Sequence, residues 1–211
     1  MSHNKQGIPV GQQAEKAGNN GAAQTVADRA DKTAGAHCEG FPPSVDADCR
    51  VLVLGSMPSV RSLAAQQYYA HPQNRFWPLM TQLLTGEKQP SADYAARLQM
   101  LRAHHIALWD AIATCERQGS LDTAIHAEVG NDFTQFLQSY PKIHTILCNG
   151  TKAYQCFCRY NKPLLTRPDL NIRQMPSTSP ANARWRLPML LETWGEALRQ
   201  EISFPSCDNI C

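Results

Sequence analysis

The sequence predicts an α/β fold in which a parallel sheet carries helices on both faces. Short apolar runs closed by glycine or polar turns recur four times, and helix-patterned segments stand between them. A chain of 211 residues fits one domain of ordinary size, or one domain with an appendage. Strands that alternate with helices pair in parallel, because each crossover helix packs back onto the sheet.

The elements follow in chain order. Val51-Leu52-Val53-Leu54, ended by Gly55, is a continuous apolar run that reads as a strand buried on both faces. NRFWPLMTQLL over 74–84 reads as a helix with Gly86 as its stop. Residues 91–104 read as a second helix, with Tyr94, Leu98 and Leu101 on its apolar side. Residues 106–109 form the next strand candidate, and 132–140 a short helix. IHTILC over 143–148 is the third strand, closed by Asn149-Gly150. A helix over 152–160, a fourth strand over 171–175 and a long helix over 187–202 complete the pattern.

Residues 1–48 are different material, rich in Gly, Ala, Asn and Gln, with one Phe and no Leu, Trp or Tyr. Such a segment buries too little apolar surface to offset its ordering entropy, so a disordered arm is expected there. The folded domain is expected over 49–202, with 203–211 as a tail.

Composition narrows the classes. The formal net charge is only +2, which speaks against a histone-like binder that wraps a polyanion. Charge is uneven, however: residues 151–186 hold seven basic side chains against Asp169 alone, which suggests one basic face. No apolar run approaches the roughly 18 residues of a membrane span, and the start, MSHNKQGIPVGQQAEK, has no apolar secretion core. A cytoplasmic protein with reduced thiols is therefore expected. The eight cysteines include no C-x-x-C pair, so no zinc site is expected, and Cys148 reads as a core residue.

In folds of this class ligands gather beyond the carboxyl ends of the strands. GSMPSVRSLAAQQYYAHPQNRFW (55–77) follows the first strand. Tyr68 and Tyr69 offer either a stacking face for a flat ligand or a plug for the core. Asn74 reads locally as a helix cap. MPSTSPANARWR (175–186) follows the fourth strand, and its hydroxyls and arginines suit phosphate oxygens, although Ser/Pro turns of this kind are common. Asp110 reads as an N-cap and Asp122 as a turn residue, and either carboxylate has the chemistry to activate a water.

These loops resemble the uracil-DNA glycosylase superfamily, and most closely its hypoxanthine-DNA (deoxyinosine) glycosylase branch. The first and fourth loops, ALWDAIATCERQGSLDTAI at 107–125 and the strand ending ILCNG occur in the family's order, over about residues 49–202. The resemblance implies a three-layer α/β/α sandwich around a four-stranded parallel sheet. It implies hydrolysis of the N-glycosidic bond of a deaminated base flipped out of DNA, hypoxanthine and also uracil. A monomer that acts on chromosomal DNA in a bacterial-type cytoplasm is expected. Some branches of the superfamily carry an iron–sulfur cluster, but the closest cysteines here, Cys156 and Cys158, fall at i, i+2 on a helix candidate and point to different sides, so no cluster is expected. Hydrolysis of this bond needs no metal or organic cofactor.

Residue by residue, Gly55, Ser56, Met57, Tyr69, His71 and Asn149 match the base pocket, with Tyr69 stacking and Asn149 reading a base edge. Ser177, Thr178, Ser179, Asn182 and Arg184 match the loop that presses on the DNA backbone. Many superfamily members place Asn or Asp where this chain has Met57, and a thioether cannot orient water strongly. In the deoxyinosine branch catalysis falls to the Asn of the HPxN element, here Asn74. Asp110 and Asp122 remain supporting candidates. Met57 also leaves room for a different class of protein, a lesion-binding module without catalysis, and a hydrolase of free nucleosides is a third possibility.

Overall fold

The structure is a computed structural model that describes residues 36–202. The expectations for residues 1–35 and for the tail from 203 lie outside the described residues.

The central sheet is all parallel, in the order β3-β2-β6-β7. Its strands are β2 (Val51–Gly55), β3 (Ile106–Asp110), β6 (Thr145–Asn149) and β7 (Asn171–Met175). The strand candidates at 51, 106 and 171 start where they were expected, and the third starts two residues late. All of β2 is buried, as its unbroken apolar run requires. Its side chains alternate between two cores. Val51 and Val53 join the cluster made with α2 (Phe76–Thr85), α3 (Tyr94–Ala103) and α6 (Leu187–Arg199). Leu52 and Leu54 join the cluster made with α4 (Phe133–Ser139) and α5 (Thr151–Tyr160). Two cores on opposite faces of one sheet make the expected three-layer sandwich. A short helix, α1 (Val60–Ala65), was not expected; Ser59 caps it by accepting the Ser62 N–H.

A second, three-stranded antiparallel sheet was also missed. It runs β1-β4-β5, with β1 (Ala36–Glu39), β4 (Ile112–Arg117) and β5 (Ile125–Gly130). Only Ala111 separates β3 from β4, so the chain passes directly from one sheet into the other. The Ala111 N–H bonds the Gly55 carbonyl and the Ile112 N–H bonds that of Ser56, which pins this joint beside the first loop. The β4–β5 register shifts twice between Ile112 and Glu116, which breaks the alternation that a sequence pattern reads.

The second sheet corrects the boundary expected at residue 49. Residues 36–39 pair with β4, and Ser44 exchanges both main-chain hydrogen bonds with Leu108 at 2.9 Å. Phe41 meets Tyr68 edge-on at 5.2 Å, and Cys38 is buried. The polar composition of 1–48 as a whole hides this anchored stretch, whose partners lie far along the chain.

Candidate active site

A pocket of about 390 Å³ opens at the carboxyl edge of the parallel sheet. The loop after β2, the end of β6 and the loop after β7 supply most of its wall, as the position rule for this fold class requires.

Tyr69 forms an aromatic surface in it. Its backbone sits at φ +55°, a left-handed conformation that a tyrosine rarely adopts, so the ring's position is imposed by its surroundings. The ring stacks on Phe76 with centroids 3.9 Å apart. A flat ligand in the pocket therefore meets a ring already backed by a second one. Burial, then the nearby Asp110 carboxyl, push the phenol's pKa well up, so it stays a neutral donor. Tyr68, its neighbour, is 5% exposed and plugs the core. The two tyrosines thus divide the two readings of the pair between them.

Asn74 and Asn149 come together through Thr178. The Asn149 Nδ2 donates to Thr178 Oγ1 at 3.0 Å, and that hydroxyl donates to Asn74 Oδ1 at 3.0 Å. The Thr178 N–H returns to Asn149 Oδ1 at 2.9 Å. Asn74 Oδ1 also accepts the Phe76 N–H at 3.0 Å, so Asn74 holds the first N–H of α2 from one residue ahead of the N-cap, Arg75, while it lines the pocket. A backbone N–H can only donate, which fixes that atom as the amide oxygen. An amide oxygen has two acceptor sites and both are taken, so Asn74 is left with its Nδ2 hydrogens to offer a water or a substrate.

Arg75 secures the fourth loop. Its Nε donates to the Thr178 carbonyl at 3.2 Å and its Nη2 to that of Asn182 at 3.1 Å. The guanidinium also donates to the carbonyls of Ser179 and Trp185. No sequence reading singled out Arg75, because carbonyl oxygens more than 100 positions away leave no local mark. Its place inside AHPQNRFW was the one available signal. On the other side of the loop, Gly150 has φ +104°, and a Cβ there would come within 2.9 Å of Ser177. This close approach seats the β6–α5 turn against the loop.

Ser56, Met57, Ser177, Ser179 and Asn182 line the pocket with Tyr69, Asn74 and Asn149. Asp122 lines it too, and its Oδ1 accepts the Ser56 hydroxyl at 2.7 Å. It belongs to a wall, residues 120–123 ahead of β5, of which sequence reasoning named Asp122 alone as a site candidate.

Five expected residues stand elsewhere. Gly55 lies beneath the pocket rather than in its wall, and a Cβ there would fall 2.3 Å from Asp110 Oδ1. His71 is outside the lining; its Nδ1 accepts the Gln73 N–H at 3.2 Å, which shapes the turn before Asn74. Thr178 is 0% exposed and cannot touch a DNA backbone, because its polar groups are used between the two asparagines. Asp110 is buried behind the pocket, with Oδ2 unpartnered, and burial raises its pKa to about 8. Arg184 is exposed on the fourth loop, outside the pocket lining.

The basic stretch is also less basic than its composition. Glu128 on β5 pairs with Lys152 at 2.5 Å and with Arg159 at 2.6 Å, and Asp169 pairs with Arg167 at 2.5 Å. Three of the seven basic side chains are thereby engaged within the protein. Among the described residues, no group of three or more His, Cys, Asp or Glu side chains is placed to hold a metal ion.

A three-layer sandwich with an aromatic-backed, amide-lined pocket at its carboxyl edge is suited to a planar, hydrogen-bonding ligand. Residues 42–199 match the family model described as the uracil DNA glycosylase superfamily. The chain belongs to that superfamily and is an enzyme of the DNA glycosylase class. A protein of Methanosarcina acetivorans named hypoxanthine DNA glycosylase is 37% identical over 146 residues, 69% of this chain and 89% of that one. A namesake from Methanosarcina barkeri is 34% identical over 162 residues, 77% of this chain and 98% of that one. The chain is also similar to a solution NMR structure from Methanosarcina acetivorans, provisionally assigned to the uracil DNA glycosylases. That likeness has a TM-score of 0.66 at 35% identity and covers 78% of this chain and 98% of that one.

Proposed function

We propose that the protein removes hypoxanthine from deoxyinosine in DNA by hydrolysis and leaves an abasic site. The observation that carries this reading is the Asn149–Thr178–Asn74 relay beside Tyr69, in a pocket of about 390 Å³. The names of the two Methanosarcina relatives support hypoxanthine as the base.

The target nucleotide leaves the stack and its base slides onto Tyr69. Asn149 keeps acceptor capacity on Oδ1 for a donor on the base edge. The C1′–N9 bond breaks, its electron pair leaves on the base, and water adds to C1′ while its proton passes to solvent. Asn74 is a poor base, and its oxygen is committed, so its amide N–H groups orient the water. Most of the acceleration then comes from stabilising the departing base and the oxocarbenium-like sugar, where a single well-placed group contributes about 2–4 kcal/mol.

Incubation of a deoxyinosine duplex with excess protein, followed by alkali, tests this reading. Strand breaks at the lesion that appear only after alkali are expected of a hydrolytic, monofunctional enzyme. No break at any deaminated base overturns it. Uracil is run in parallel, because the provisionally assigned NMR neighbour favours it as a second substrate.

A further inference from the structure

We infer that Tyr94, in the first turn of α3, is the positioning residue that holds the Tyr69 ring ready for a base. Tyr69 keeps φ at +55°, and a tyrosine stays in that region only where its neighbours enforce it. The enforcement lies in Tyr68, whose three polar groups are each tied to a different part of the chain. The Tyr68 N–H donates to the Tyr94 hydroxyl at 2.9 Å, and the Tyr68 carbonyl accepts the Trp77 indole N–H at 2.9 Å. The Tyr68 phenol donates to the Pro42 carbonyl at 3.2 Å. The peptide groups on both sides of the Tyr68 Cα are thus fixed, and the second is the one from which Tyr69 turns. Beyond Tyr69, the Ala70 N–H donates to the Ser62 hydroxyl at 3.3 Å, so the chain is held on that side too.

Tyr94 is itself braced. Its ring meets Trp77 edge-on, with centroids 6.0 Å apart. The Arg97 guanidinium, one helical turn further on, lies 4.9 Å from the centre of the Trp77 ring and 5.3 Å from that of Tyr94. Its Nη2 donates to Gln67 Oε1 at 3.2 Å, next to Tyr68. None of Tyr94, Trp77 and Arg97 lines the pocket, so the brace acts through the backbone it grips. The Tyr94 hydroxyl is the member that can be removed alone, because Trp77 fills the core and Arg97 holds two rings at once. Without that hydroxyl a part-buried N–H loses its acceptor, and Tyr68 is free to turn toward another. Tyr69 then relaxes out of the left-handed region, and its ring loses the seat on Phe76 that it holds at 3.9 Å.

This inference rests on the reading of the pocket as a base site, and the test separates the two. Tyr94→Phe in the full chain removes one oxygen and keeps the rings. NMR contacts between the Tyr69 and Phe76 rings read the ring position with no DNA present, and they are expected to weaken in the variant. The Tyr68 amide is expected to exchange with solvent about tenfold faster, while the amides of β2 keep their protection. On DNA, the dissociation constant for a deoxyinosine duplex is expected to rise about five- to tenfold, as the loss of a base–aromatic contact implies. That for the undamaged duplex is expected to stay within about twofold. In a Tyr69→Ala background, Tyr94→Phe is expected to add less than about twofold, because the ring it positions is gone. Unchanged ring contacts, equal weakening on both duplexes, or a full loss in the Tyr69→Ala background each overturn the inference. If the wild-type protein binds both duplexes alike, the proposed activity falls, and the ring contacts alone decide the role of Tyr94.

Discussion

Thr178 and Asn74 share a hydrogen bond of 3.0 Å across 104 positions of sequence, and through it the last loop of the sheet sets the amide in the first. Thr178→Val keeps the side chain's size and removes that hydroxyl. Asn149 Nδ2 and Asn74 Oδ1 each then lose a partner, at a cost of about 1–3 kcal/mol in stability where no water replaces it. Single-turnover excision should fall about 10- to 100-fold while the melting curve stays cooperative. Asn74→Ala should lower the rate further, by about 10²–10³, with DNA affinity retained in a filter-binding assay.

Tyr69 gives a prediction about surface rather than charge. Tyr69→Phe preserves the ring on Phe76 and should keep excision within a few-fold of wild type. Tyr69→Ala removes a base–aromatic contact of about 1–3 kcal/mol, which should appear as weaker binding of lesion DNA. Equal behaviour of the two variants in binding and rate would show that the ring is not a stacking surface.

Arg75 should not tolerate lysine. One ammonium cannot reach the carbonyls of Thr178, Ser179, Asn182 and Trp185 as a planar guanidinium does. Arg75→Lys should loosen residues 176–186. Faster hydrogen exchange confined to that loop, with weakened DNA binding and an intact core, is the expected result.

Asp110 should make stability depend on pH in the direction opposite to an ordinary carboxylate. Burial raises its pKa from 3.8 to about 8, so the folded state holds a proton that the unfolded chain releases. Its favourable contribution is full below pH 3.8 and is lost as pH rises to about 8. Asp110→Asn cannot lose that proton, so its advantage in Tm over wild type should grow between pH 5 and pH 8.5. A constant difference across that range would show that Asp110 is ionised in the fold.

Much of the sandwich was legible because both faces of its strands are buried, so runs such as VLVL and TILC mark themselves. The antiparallel sheet was not. β4 carries Glu116 and Arg117, its register slips, and its partner β1 lies in a stretch whose neighbours are polar. Tyr69 and Asn149 were singled out through the family resemblance, and both line the pocket. The pocket was illegible where the function depends on pairing across the fold. Thr178 reads as a surface hydroxyl until its two asparagine partners are placed around it. Lys152 and Arg159 read as free cations until Glu128, from another sheet, is set between them.

Because Thr178 and the carbonyls held by Arg75 all belong to the segment after β7, the pocket cannot be assembled by the earlier strands alone. During synthesis, Tyr69, Asn74 and Asn149 emerge from the ribosome well before the residues that orient two of them. The pocket wall is complete only with the loop after β7 in place, and α6 packs its core against the same sheet. A chain interrupted before residue 175 retains its stacking ring but lacks the hydroxyl that joins the two amides, and should be inert rather than partly active.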